Sequence, residues 1–155
     1  MKIKIRSRRN IEKIAANPFE GRVALISIAD FGYDFAELKN EPDFVIRLAF
    51  DDVDGADVFM DEIGGTPTEE ERRLVEEKYH MLSDEQAEKI ADFYHSVKDS
   101  VDVIICQCEH GQSRSAAIAA AILEYRCRKG IAVFADDRYY PNKTIFKKVL
   151  KAIAR

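Results

Sequence analysis

At 155 residues, with 46% hydrophobic and 34% charged side chains, the chain has the length and balance of one soluble globular domain spanning residues 1–155, and this excludes a disordered chain. Three cysteines are too few for a disulfide scaffold. The net charge of -4 is small but unevenly placed: residues 51–80 hold eleven acids against three bases, whereas both ends are basic. The plain reading of this pattern is solvated faces, and a basic patch for an anionic partner is the alternative.

In chain order, the opening "MKIKIRSRRNIEKIAAN" is charged almost throughout and lacks the apolar core of a secretory leader. No apolar run approaches the roughly 20 residues that span a bilayer. A cytoplasmic location without a membrane partner is therefore expected. The "IKI" near the start predicts a short strand, and Ser7 caps a helix through about Ala16. "VALISI" (23–28) and "FVIRLAF" (44–50) are β-branched and aromatic runs that predict two more strands. "DEIGGTPT" (61–68) reads as a long flexible loop. Thr68 and Glu71 form a capping box for a following helix, and Ser83 with Gln86 repeats that signal. The second of these helices carries Ala87, Ile90, Ala91, Tyr94 and Val97 on one face.

"VDVIIC" (101–106) predicts a fourth strand, and an alanine-rich helix follows with Gly130 as its expected C-terminal stop. Pro141-Asn142 introduces a last helix whose buried stripe is expected to be Phe146, Val149, Leu150 and Ile153. Strands separated by helices imply an α/β domain with a central, mostly parallel sheet of four to five strands, flanked by helices. His80 and His95 read as surface helix positions without a visible partner.

The stretch "CQCEHGQSRSAAIAAAI" (106–122) joins the most apolar strand to the most apolar helix. Ligands of open α/β sheets bind at the carboxyl ends of strands, where a helix N-terminus offers unpaired N–H groups to an anion. Gly111 permits backbone conformations that let successive N–H groups converge. Arg114 has the planar guanidinium that grips two phosphate oxygens at once. A cysteine at the mouth of such a cradle is a candidate nucleophile.

The run Cys108-Glu109-His110-Gly111-Gln112-Ser113-Arg114-Ser115 resembles the C-x-x-G-x-S-R-S loop of the cysteine-dependent protein tyrosine phosphatase superfamily, most closely its compact dual-specificity branch. The resemblance implies the phosphatase fold and hydrolysis of phosphate monoesters through a phosphocysteine intermediate, with no metal or other cofactor. It implies Cys108 as nucleophile, and the loop Glu109, His110, Gly111, Gln112 and Ser113 with Arg114 as the phosphate cradle. Ser115 would assist the thiolate as it leaves. The family's general acid is an aspartate on a loop after an earlier strand, and "FVIRLAFDDVDGADV" supplies that setting. Asp52 keeps the family's spacing to Asp57-Val58, with Asp51 and Asp54 as alternatives. The Pro-Asn before the last helix also matches the family.

One departure stands out: the family usually has His before the cysteine, and this chain has Gln107, which donates a hydrogen bond but carries no charge. A slower enzyme or a catalytically weak phosphate-binding module is compatible with that change. A phosphorylated protein or peptide is the expected partner, with a nucleic acid such as an RNA 5'-end as the less favoured alternative. A multiply phosphorylated inositol is disfavoured, because the loop has Glu109, His110 and Gln112 where lipid-directed members carry lysines. A zinc site of Cys106, Cys108 and His110, completed by Cys127, His80 or His95, is a minor alternative, since structural zinc sites usually space their paired cysteines as C-x2-4-C. A resolving-thiol role for Cys106 is another.

Overall fold

The structure, a computed structural model, describes residues 1–155. Four parallel strands, β1 (Lys2–Ser7), β2 (Val23–Ala29), β3 (Phe44–Ala49) and β4 (Val103–Cys108), form one sheet in the order β1-β4-β2-β3. Every residue of β2 is buried, as expected of an inner strand covered on both faces. The edge strand β1 instead exposes Lys2 and Lys4 and turns Ile3 and Ile5 inward, an alternation that blunts a free edge.

Helices α4 (Asp84–Val97), α5 (Arg114–Cys127) and α7 (Lys143–Ile153) cover one face of the sheet and share its main core with Ile26, Ile28, Ile104 and Cys106. Helix α1 (Arg8–Ile14) covers the other face, where Ile11 packs with Val23, Leu25, Ala36 and Ile105. The α4 stripe is buried at all five of its expected positions. Both capping boxes form, at Ser83 with Gln86 and at Thr68 with Glu71, the latter opening α3 (Glu69–Lys78). In α7 the buried residues are Ile145, Val149, Ala152 and Ile153, whereas Phe146 and Leu150 pack at the margin of the core.

Three expectations change. "DEIGGTPT" is not all loop: Asp61 and Glu62 end a helix, α2 (Gly55–Glu62), which Asp54 caps by accepting a hydrogen bond from the Ala56 N–H. Gly130 is not the left-handed stop of α5. Arg128 takes that conformation at φ 56°, and Gly130, at φ -58°, is needed because a Cβ there would lie 2.7 Å from the Ala120 carbonyl oxygen. It opens a short helix, α6 (Ile131–Phe134). Neither His80 nor His95 lacks a partner: His95 Nε2 lies 2.9 Å from the Ile153 carbonyl, and His80 stacks on Phe31 at 3.7 Å. No helix is long and apolar enough to cross a membrane.

Candidate active site

The strand register brings Ser7 opposite Cys108 and Ala29 opposite Ala49, so the carboxyl ends of all four strands meet at one edge. Here β4 ends at Cys108, and residues 109–113 curl into the N-terminus of α5. Gly111 allows this in two ways. Its φ is 68°, and a Cβ would stand 2.6 Å from the Ser7 nitrogen, so only glycine lets the loop press against the end of β1.

The loop's backbone is arranged asymmetrically. The carbonyls of Glu109, Gln112 and Ser113 accept from the N–H groups of Arg8, Tyr140 and Asn142, which ties them outward. The N–H groups of residues 109–113 have no protein acceptor. That is the polarity of an anion nest at a helix N-terminus. Cys108, 2% exposed, sits at its base with Sγ 3.1 Å from the Oγ of the fully buried Ser115. His110 and Gln112 lie on the exposed outer side.

Arg114 is 5% exposed. Its Nη1 donates to the Phe50 carbonyl at 2.8 Å and pairs with Asp30 Oδ1 at 2.6 Å, whereas Nε and Nη2 have no protein partner. One edge of the guanidinium is thus anchored and the other is left for a bidentate oxyanion. Asp30, at the end of β2, is a site residue that the sequence did not single out.

The three candidate acids separate by their duties. Asp51 accepts from the Phe31 N–H at 2.9 Å, and Asp54 is occupied as the α2 cap. Asp52 alone reaches the loop: its Oδ1 accepts from Ser113 Oγ at 2.9 Å and from Asn142 Nδ2 at 2.8 Å, and its Oδ2 has no hydrogen-bond partner. Asn142 also caps α7 and holds the Val53 carbonyl. Asn142 therefore holds residues 52 and 53 as well as the helix start.

No family model matches the sequence, and no curated protein does. Among solved structures, the chain is similar to Tk-PTP in its active form, with a TM-score of 0.53 and 16% identity over 99% of this chain and 91% of that one. It is also similar to PTPMT1 in complex with PI(5)P, with a TM-score of 0.53 and 12% identity over 99% of this chain and 90% of that one. This is the protein tyrosine phosphatase fold.

Within that fold, Gln107 is fully enclosed. Its Oε1 accepts from Ser27 Oγ at 2.5 Å, and its Nε2 donates to the Cys108 carbonyl at 3.1 Å. The amide therefore ties the backbone of Cys108 to β2 without a charge. Cys106 is completely buried in the main core, and desolvation there pushes its thiol well above the usual range. A thiol so held is a poor attacking group at neutral pH, which weighs against the resolving role. Cys127 is exposed, with its sulfur on the Leu123 carbonyl. No three His, Cys, Asp or Glu side chains gather as a metal-binding group, and the C-x-C-x-H run does not converge into one.

Proposed function

We propose that the chain is a phosphomonoesterase that works through a phosphocysteine. The observation that carries this reading is the free edge of Arg114, Nε and Nη2, beside a nest of unpaired loop amides with Cys108 at its base. A phosphate held there by Arg114 and by the N–H groups of residues 109–113 has its phosphorus over the thiolate. The Cys108 sulfur attacks, the phosphorus–oxygen bond to the leaving group breaks, and Asp52 protonates that oxygen from its unengaged Oδ2. Asp52, now a carboxylate, then takes a proton from a water that attacks phosphorus. The sulfur–phosphorus bond breaks, and the Ser115 hydroxyl stabilises the departing thiolate.

Phosphorylated protein or peptide is the substrate we favour, with tyrosine and serine/threonine both within the reading. PTPMT1, one of the similar structures, is seen with a phosphoinositide. The cradle of this chain carries no lysine between Cys108 and Arg114, and that speaks against a highly charged inositol. A reducing, cytoplasmic setting belongs to the same reading, because the mechanism requires a free thiol at Cys108.

Cys108→Ser should abolish aryl phosphate hydrolysis, by about 10^4-fold or more, while inorganic phosphate still binds. Comparing turnover of an aryl phosphate, phosphopeptides and RNA 5'-ends identifies the substrate class. Hydrolysis that survives Cys108→Ser would remove the phosphocysteine from the account.

A further inference from the structure

Behind the acid loop, α2, α3, α4 and α7 enclose an open groove of about 900 Å³. It starts where the Gly55 N–H donates to Thr144 Oγ1 and Asn142 holds Asp52, and it runs along α7 away from the candidate active site. One wall is a row of bases at four-residue intervals, Lys143, Lys147, Lys151 and Arg155. The opposite wall, on α3 and α4, is acidic.

The charges of the two walls are not equally spent. Asp54 caps α2, and Glu69 and Glu76 pair with Arg72. Asp84 also pairs with Arg72, and Glu88 pairs with Arg155 at 2.8 Å. Glu85 faces Arg73 at 3.9 Å. On the basic wall, Lys148 is bound to Glu76, but Lys143, Lys147 and Lys151 are exposed and make neither an ion pair nor a hydrogen bond. The groove lining holds seven bases against six acids, a small positive excess, and the bases left without a partner are three lysines in line.

We infer that this groove is a docking site for an acidic peptide segment of the substrate, bound apart from the phosphorylated residue. The inference rests on the protein-phosphatase reading and specifies how such a substrate is chosen. Four residues of helix rise about 6 Å, and two residues of extended chain span roughly 6.6 Å. Acidic side chains at three alternate positions of an extended segment therefore match the spacing of the three lysines. An extended peptide turns its intervening side chains to the acidic wall, where neutral or basic ones are tolerated, whereas a strand of RNA repeats its phosphate at every nucleotide beside Glu69, Glu85 and Glu88. The entry of the groove lies beside the acid loop, so an anchored segment holds a phosphorylated residue close to Cys108 and raises its effective concentration there.

The test uses the whole chain and a short fluorescein-labelled, unphosphorylated peptide with glutamate at three alternate positions, read by anisotropy. Binding should fall about tenfold in Lys147→Glu/Lys151→Glu, and by less in Lys147→Gln/Lys151→Gln, and it should weaken with added salt. Aryl phosphate hydrolysis should be unchanged in both variants. A phosphopeptide extended by the acidic segment should show a lower KM than the bare phosphopeptide in the unmodified protein, an advantage that shrinks in Lys147→Gln/Lys151→Gln and is smallest in Lys147→Glu/Lys151→Glu. Equal peptide binding by all three proteins, or none by the unmodified one, would overturn the docking site. Tighter binding of a single-stranded RNA of equal charge, lost in the same variants, would also overturn it in favour of a nucleic-acid partner. Because the peptide is unphosphorylated, its binding reads the groove alone. A chain that binds it yet hydrolyses no aryl phosphate would refute the phosphatase reading and leave the groove standing.

Discussion

The two halves of the candidate site are held in place by different forces. On the Cys108 side, β4 and α5 lie in the apolar core: the first nine residues of α5, Arg114–Ile122, are all buried, and its alanines allow close approach of the sheet, α6 and α7. On the acid side, α3 buries only Val75 and Glu76, and charges fasten it. Arg72 joins Glu69, Glu76 and Asp84, and Lys148 reaches from α7 to Glu76 at 2.5 Å and to the Leu82 carbonyl at 2.8 Å. The contrast teaches that the loop between β4 and α5 is fixed by packing, whereas the flank beyond residues 51–54 is set by ion pairs that salt and pH can reach. On the proposed mechanism both halves are needed, and because different forces hold them, each can be broken separately.

The largest difference should come from the acid itself. Asp52→Asn should lower turnover by about 10^2 to 10^4, most for substrates whose leaving group is poor, and should flatten the pH dependence that the acid creates. Asp51→Asn and Asp54→Asn should lose far less, since those carboxylates accept from Phe31 and Ala56 rather than from the loop. An equal loss at either would move the role of acid to that residue.

Next in size is a pair of stability changes. Ile118, fully buried in α5, should cost about 2 to 5 kcal/mol when replaced by alanine, through lost burial and the cavity left behind. Glu76→Gln removes the charge that Arg72 and Lys148 share, and its effect should appear first as faster amide hydrogen exchange in α3, with α5 still protected. Uniform loss of protection in both helices after Glu76→Gln would show that the two halves are one cooperative unit.

The pH dependence of this flank follows from Asp84. Hydrogen bonding to Arg72, aided by Lys148 and opposed by partial burial, lowers its carboxyl to about 2. A lowered carboxylate pKa contributes stability that is present above the unfolded value, near 3.9, and is lost as pH falls through the folded one. The α3 flank should therefore hold through neutral and mildly acid conditions and loosen between about pH 4 and pH 2. Added salt should weaken it at any pH, because these side chains are partly exposed. Exchange in α3 that is indifferent to both would leave apolar contacts of Val75 as the attachment.

Local signals carried much of this into the sequence. The boxes at Thr68 and Ser83 and the α4 stripe are legible because a cap and a helical face are decided within a few residues. The candidate loop stood out for the same reason, since its glycine, arginine and serines are contiguous. Helix α2 was not, for it opens on glycine and buries only Gly55, so no apolar stripe marks it. Gly130 was misread because glycine serves close approach as well as left-handed turns, and only the Ala120 carbonyl above it tells which. Asp30 and Ser27 had no local mark at all. Their partners, Arg114 and Gln107, stand more than 75 residues away, and the sheet order that joins them is a property of the whole chain.

The smallest expected effect concerns Asp30 and sharpens the account of the packed half. Its carboxylate has two opposed consequences for Arg114. It fixes Nη1 together with the Phe50 carbonyl and so limits where the unengaged Nε and Nη2 can lie, and its negative charge would also reduce the attraction for an incoming phosphate. Asp30 is partly exposed, so water screens that charge, whereas the geometric constraint on a guanidinium only 5% exposed is not screened. Positioning should therefore win. Asp30→Ala should raise KM for an aryl phosphate and weaken inorganic phosphate binding several-fold, while Asp30→Asn, which keeps an acceptor for Nη1, should stay close to the unmodified protein. If charge dominated instead, both variants would bind phosphate more tightly, Asp30→Ala as much as Asp30→Asn. Phosphate affinity measured for the pair at low and high salt separates the two, because a charge effect fades with ionic strength and a positioning effect does not.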